Sequence, residues 1–450
     1  MFSELDISDR ILKAIDQMGI TQPTPVQQES IPVALEGKDL LVGAETGSGK
    51  TLAFVVPLLQ KLLDTPKPRS GTRGLILTPT RELAEQVENM CAELAAFTQI
   101  QVQSVCGGEN WSNQVARLRK NPEILVGTPG RLKEHLERNT LDFDDLEYLV
   151  LDEADRMLDM GFKDEMSFII DACPAQRQTL LLSATLNHSK LQSLINVGLK
   201  EPVRLQLATA QDAVETITQQ MILADHPGHK EKILLWLLDN EEHEKGIIFC
   251  NTRAFAEQLG TKLQREGRRI GILHGEMEQP ERKRILQLFR DGRINHLIAT
   301  DVAARGLDIE GVDLVINFDM ARKGDEYVHR IGRSGRQGRK GLAINLIMSN
   351  EWNLSATIQR YLKVTFEMRS IAGLKGHYKG PEKVRKNGRA AGTKKRKESD
   401  KRKSSDKPKV KQRARDKKDI GKRRQPAAAA LGDGNAPMMR RKTTGLDPND

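Results

Sequence analysis

The chain has 450 residues, with 71 Lys+Arg against 61 Asp+Glu, four cysteines and 38% apolar residues, enough for two or three domains at about 100–200 residues each. The charge is uneven: residues 371–450 hold 26 Lys+Arg against 9 Asp+Glu, a net of +17, and residues 1–370 hold 45 against 52, a net of −7. The opening MFSELDISDR has no basic start before an apolar run, no apolar stretch approaches the ~18 residues of a membrane span, and the scattered Cys91, Cys106, Cys173 and Cys250 form no CxxC pair, so export, membrane insertion, a disulfide framework and a zinc site are all set aside. The expectation is a cytoplasmic protein with buried, free thiols.

In chain order, short apolar runs alternate with helical periodicity. The first half carries DLLVGA, GLILTP, EILVGT, EYLVLD and TLLLSA; the second carries KGIIFC, RIGILH, HLIATD, VDLVIN and GLAINL. Between them lie stretches such as Arg81 to Phe97, where Leu83, Val87, Met90 and Leu94 recur at helical spacing. This pattern predicts an α/β fold of two parallel sheets in series, covered by helices on both faces. The polar stretch Leu207 to Gln220 predicts the boundary near residue 210. A strand at Gly341 to Met348 and a helix after it predict the end of the second domain near 370. Beyond that point, dense like charge and scarce apolar residues predict a disordered tail over 371–450.

In doubly wound sheets ligands sit beyond the carboxyl ends of the strands, so the polar residues directly after each apolar run are the candidates. AETGSGKT, Ala44 to Thr51, lets backbone N–H groups converge on a phosphate at a helix N-terminus; Ala44, Glu45, Thr46, Gly47, Ser48 and Gly49 form the loop, Lys50 meets the β/γ-phosphates and Thr51 ligates Mg²⁺. Its first position is Ala44 where the strict pattern has glycine. YLVLDEAD ends a strand in Asp152, suited to Mg²⁺, and Glu153, suited to orient or deprotonate a water. HRIGRSGR, His329 to Arg336, offers Arg333 and Arg336 to a charge developing on a γ-phosphate. Taken alone, these are a glycine-rich turn, a solvated acidic cap and a basic patch; together they make one nucleotide site. PTRELA, Gly107-Gly108, TPGR, CNTR and ATDVAARGLD supply hydroxyls, glycines and cations of the kind that hold sugar and phosphate without reading bases.

With these motifs in this order, Phe2 to about residue 370 resembles the DEAD-box ATP-dependent RNA helicases. The resemblance implies two tandem RecA-like domains, those of P-loop NTPases of helicase superfamily 2: a Q-motif region over 1–30, an ATP-binding domain over 31–210 and a helicase C-terminal domain over 211–370, with the basic tail binding RNA. It implies that Gln27, in PTPVQ, reads the adenine edge, with Phe2 the upstream aromatic. The family usually places an aromatic after the glycine equivalent to Gly19; here Ile20 offers an apolar contact. Ser183, Ala184 and Thr185 resemble the segment coupling hydrolysis to strand separation, Asp308 the ribose contact, and Arg333 and Arg336 the arginine fingers. Pro79, Thr80, Arg81, Gly108, Thr128, Arg131, Arg253 and Thr300 match RNA-facing positions. ATP and Mg²⁺ are the implied cofactors and RNA the implied partner. The tail segment RARDKKDIGKRR is similar to that of bacterial SrmB-type helicases, which implies structured ribosomal RNA, ribosomal or assembly proteins as partners, and a role in large-subunit assembly by a core that is monomeric. Two rival readings share these residues: an ATP-gated RNA clamp or annealing chaperone, and a processive translocase on duplex DNA.

Overall fold

Strands covered on both faces read as unbroken apolar runs, because neither side meets water. All ten such runs form strands in the computed structural model, which describes residues 1–44, 47–184, 186, 191–207, 217–304, 312–334 and 341–390. The first sheet holds β1 (Leu40–Gly43), β2 (Gly74–Leu77), β3 (Val102–Val105), β4 (Ile124–Gly127), β5 (Tyr148–Leu151), β6 (Gln178–Ser183) and β7 (Val203–Gln206). The second holds β8 (Ile217–Leu223), β9 (Gly246–Phe249), β10 (Ile270–Leu273), β11 (His296–Ala299), β12 (Leu314–Asn317), β13 (Gly341–Ile347) and β14 (Glu367–Arg369). The spatial orders are β3-β4-β2-β5-β6-β1-β7 and β10-β11-β9-β12-β13-β8-β14, the same arrangement used twice. This is the tandem RecA-like architecture.

The period of two along each strand sorts its side chains between two layers. Leu40 and Val42 join Phe54, Ile76 and Val150 on one face of the first sheet; Leu41 joins Leu75, Leu149 and Leu181 on the other. The helix Lys50–Asp64 lies in the first layer with Leu52, Phe54, Val55, Val56, Leu58 and Leu59 all buried. Truncating Phe54 there would cost about 3–5 kcal/mol through lost contacts and the cavity left behind. Register also matters for the site. Gly43 pairs with Ser183, so the exits of β1 and β6 emerge side by side.

The structure corrects three expectations. Strands β3, β7, β8 and β14 were not among the apolar runs. Three of them are edge strands with only partial burial, such as Val203–Gln206, so no continuous apolar signal is required of them. Residue 210 lies outside the described residues, yet Ile217–Gln220, assigned to the linker, opens β8 inside the second sheet. Its glutamines are paired there: Tyr327 Oη donates to Gln219 Oε1 at 3.0 Å, and the Gln220 carbonyl accepts from Asn345 at 2.9 Å. Finally, residues 371–390, expected to be disordered, are folded against the second lobe, beginning with the buried Ile371. Residues 391–450 lie outside the described residues.

All four cysteines are free and buried. Burial raises each thiol, Cys106 and Cys173 to about 12, which keeps them protonated and unreactive. Among the described residues no helix is long and apolar enough to cross a membrane.

Candidate functional site

The chain leaves β1 through Ala44 and re-enters regular structure at Lys50. Gly47 and Gly49 have φ of +85° and +92°, the left-handed region that glycine enters without strain. A Cβ on Gly49 would come within 2.5 Å of Gln27 Nε2 and 2.9 Å of Thr24 Oγ1, so no other residue fits that position. No side chain caps the helix Lys50–Asp64. Its first N–H groups therefore face outward for an anion. Lys50 is buried with its ammonium donating to the Ala44 carbonyl at 3.1 Å, and Thr51 follows it, half-buried. Gln27 is 3% exposed; its Oε1 accepts from Thr24 N at 2.9 Å and its Nε2 donates to the Gly49 carbonyl at 3.0 Å. It thus ties the Pro25–Leu35 helix to the loop. Phe2 lies inside the first-lobe core at 4% exposure, and Ile20 packs half-buried against the same core. Of the two, only Ile20 has much surface left for another molecule. Glu45 and Thr46 lie outside the described residues.

At the end of β5, Asp152 donates its N–H to the Leu77 carbonyl at 3.0 Å, and Glu153, with φ +51°, turns the chain into the helix Ala154–Asp159. A non-glycine residue in that conformation is uncommon outside functional turns. Both carboxylates are buried. Arg156, 1% exposed, forms an ion pair with Glu153, while its Nε and Nη2 and the Oδ1 of Asp152 have no hydrogen-bond partner among the described residues. Burial pushes Asp152 up to about 6, against the pull of Lys50. Burial also raises Glu153, but Arg156, Lys50, Arg333 and His329 outweigh it and hold the carboxyl below its ordinary value. The last two belong to the second lobe.

There Arg333 is buried, its Nε donating to the His329 carbonyl at 3.2 Å. Arg330 of the same motif is a structural residue, engaged with Asp301, Asn317, Asn251 and the Asp319 carbonyl. The lobes also touch away from these motifs. Arg282 pairs with Glu82 at 2.8 Å, Lys283 with Glu85 at 2.8 Å and Lys323 with Asp159 at 3.0 Å. Sequence reasoning missed these partners and Arg156. The pairs join residues 164 to 200 positions apart, and of their members only Glu82 lies inside a recognised motif, PTRELA. Arg336, Asp308 and Thr185 lie outside the described residues.

The remaining candidates fall into two groups. In the first lobe, Pro79 is buried and Thr80 caps the Arg81–Leu94 helix, its Oγ1 accepting from Leu83 N at 3.3 Å. The exposed Arg81 lays its guanidinium where a Cβ on Gly108 would stand. Thr128 Oγ1 accepts from Gly107 N at 3.4 Å, and Arg131 donates to Gln114 Oε1 at 3.0 Å. These residues share the carboxyl edge of β2, β3 and β4. In the second lobe, Arg253 opens the helix Arg253–Arg265 and pairs with Glu257 at 2.9 Å and with Glu276, and the buried Thr300 follows β11. Ser183 ends β6, its carbonyl accepting from Ala44 N at 3.1 Å, and Ala184 follows, half-buried.

The residues fit a Mg²⁺ ion. Asp152 Oδ1 is buried and has no partner among the described residues, and it and the Thr51 hydroxyl are oxygen donors of the kind a hard cation takes. No group of three or more His, Cys, Asp or Glu among the described residues is placed to hold a metal by itself.

Comparison with known proteins agrees with this geometry. Residues 24–194 match the DEAD/DEAH box helicase family and residues 229–338 the helicase conserved C-terminal domain. The chain is 40% identical to the ATP-dependent RNA helicase SrmB of Haemophilus influenzae over 95% of this chain and 98% of that protein. It is 41% identical to SrmB of Escherichia coli over 96% and 97%. Among solved structures, S. cerevisiae Dbp5 bound to RNA and ADP BeF3 is similar at a TM-score of 0.74 and 31% identity, covering 82% of this chain and 95% of that one. Mss116p bound to ssRNA and AMP-PNP is similar at 0.73 and 29%, covering 82% and 78%.

Proposed function

The chain belongs to the DEAD-box family of ATP-dependent RNA helicases, and on that premise we propose that it separates short RNA duplexes locally, by closing its two lobes on ATP and one RNA strand. Gly47 to Thr51 receive the triphosphate, with Lys50 across the β- and γ-phosphates, and Ile20 and Gln27 meet the base. Thr51 and Asp152 would hold Mg²⁺, which would neutralise charge on the triphosphate. Water attacks the γ-phosphorus as its proton passes to Glu153, and the bond to the β-phosphate oxygen breaks to leave ADP and phosphate. Arg333, with Arg336, stabilises the charge that builds on the transferred group. Arg81, Gly108, Thr128 and Arg131 on one lobe and Arg253 and Thr300 on the other take the strand by its backbone, and 2′-hydroxyl contacts favour RNA over DNA.

The observation that supports this reading is that the pairs Arg282–Glu82 and Lys323–Asp159 hold the arginine-bearing lobe against the lobe that buries Lys50, Asp152 and Glu153, with the charge of Arg333 acting to lower Glu153. Charges from the arginine-bearing lobe reach the carboxylate assigned to water in the other lobe. Glu153→Gln tests it. ATP turnover should fall by about 10²–10³-fold, as expected for loss of a positioned base, with ATP-dependent RNA binding retained. Turnover at the wild-type rate would remove Glu153 from the chemistry. Release of a short duplex in ATP, compared with a non-hydrolysable analogue, separates a cycling helicase from a clamp.

Large-subunit ribosome assembly in the cytoplasm, with structured ribosomal RNA and assembly proteins as partners of a monomeric core, is the process we assign. Its support is the RARDKKDIGKRR segment and the near full-length similarity to proteins named SrmB. Residues 391–450 act as an RNA tether that salt weakens. Sequencing RNA crosslinked to the protein in cells tests the assignment.

A further inference from the structure

Residues 371–390 have the composition of a solvated tail, yet specific bonds hold them to the second lobe. The carboxylate of Asp225, which follows β8, accepts the backbone N–H groups of Tyr378 and His377 at 2.7 and 2.9 Å, and these bonds hold it down at about 2. His229 Nε2 lies 2.9 Å from the Leu374 carbonyl. Farther on the chain reverses: Gly388 N donates to the Arg385 carbonyl and Arg385 N to the Arg389 carbonyl, both at 2.8 Å, and Val384 bridges Ala390 in antiparallel fashion. Gly388, at φ +76°, permits the turn. The reversal sits on the helix Trp352–Leu362. The Trp352 indole N–H donates to the Gly388 carbonyl at 3.1 Å, Ala390 N to Asn353 Oδ1 at 2.8 Å and Arg389 Nη2 to Thr357 Oγ1 at 3.0 Å.

This segment displays Lys375, Lys379, Lys383, Arg385, Lys386 and Arg389 against a single acid, Glu382. All six cations are exposed, and none has an ion pair among the described residues. The exposed Arg360 lies one helical turn beyond Thr357 and extends the same surface. Like charges normally keep a chain unfolded. Here the docking is made mainly through backbone groups, so the charges are fixed in place without being neutralised. A polyanion bound by such a surface releases counterions as it would on a loose tail, but the chain has already been ordered.

We propose that residues 375–389 form a fixed surface for the RNA backbone, separate from the track at the strand ends and from residues 391–450. The inference rests on RNA being this enzyme's substrate. It takes chiefly phosphates, since six exposed cations face solvent while Tyr378, the one Phe, Tyr or Trp of the segment, is half-buried.

Two variants of the full-length chain test it, with fluorescence anisotropy of a labelled single-stranded RNA as the readout. Neutralising Lys383→Gln, Arg385→Gln and Lys386→Gln together should make the log–log salt dependence of binding shallower by about 2, at roughly 0.7 per phosphate contact on a single strand. Asp225→Ala with Asn353→Ala keeps every cation but should expose the segment to trypsin and weaken RNA binding about threefold, because ordering must then accompany binding. An unchanged slope in the first protein, or wild-type affinity in the second, overturns the proposal. A wild-type chain whose ATP hydrolysis RNA does not accelerate would defeat the helicase reading instead, so the two failures read apart.

Discussion

The two lobes each bury a charged cluster at the carboxyl edge of the sheet, and the clusters differ in how completely they are bonded. Arg330, 1% exposed, makes two bonds of 2.7 Å to the Asp301 carboxylate, one of 2.7 Å to Asn251, one of 3.0 Å to Asn317 and one of 2.6 Å to the Asp319 carbonyl. Arg156, equally buried, pairs with Glu153 but leaves Nε and Nη2 without partners among the described residues, as Asp152 leaves Oδ1. A buried polar atom without a hydrogen bond costs about 1–3 kcal/mol. On the proposed reading, the saturated cluster is architecture, and the open one would take its remaining partners from the substrate.

Arg330→Met gives the largest expected effect. It strands Asp301 and two asparagines in the interior and should cost about 3–5 kcal/mol of stability, seen as a lowered melting temperature; a variant that melts like the wild type would refute the structural assignment. Glu82→Ala comes next. With Arg282 left only its bond of 2.7 Å to the Ala303 carbonyl, the RNA concentration for half-maximal ATPase should rise about tenfold, or ~1.4 kcal/mol. Asp152→Asn should act in the opposite sense to Arg330→Met: the nucleotide-free protein gains roughly 1 kcal/mol by losing a buried carboxylate whose Oδ1 has no partner among the described residues, while turnover is lost. A drop in melting temperature would mean that Asp152 is bonded as fully as Arg330. Smallest is Lys283→Ala. Its pair with Glu85 is exposed on both sides, so the same ATPase assay should move less than about twofold, and not at all in high salt.

Most of the site was legible in the sequence because its chemistry is local. A phosphate loop is built from consecutive residues after one strand, and the DEAD acids follow another. The apolar runs marked the inner strands for the same reason: each carries its own evidence of burial on two faces. What escaped depended on distant partners. Strand β8 looked like a linker because Gln219 and Gln220 lack apolar character, and their acceptability inside a sheet comes from Tyr327, Asn345 and Arg369. Residues 371–390 looked unstructured because charge density says nothing of an Asp225 placed some 150 positions earlier to receive two of their amides. Phe2, expected as the upstream aromatic, is enclosed by the first-lobe core, a burial that its place at the chain start does not announce.

One rung of the first sheet links what the sequence keeps apart. Gly43 lies opposite Ser183, and Ala44 N bonds the Ser183 carbonyl at 3.1 Å. On the proposed reading, a recoil of the loop on losing the γ-phosphate would pass through this hydrogen bond and the ladder beneath it to the strand that carries Ser183. Fuel consumption and mechanical output would then share one joint.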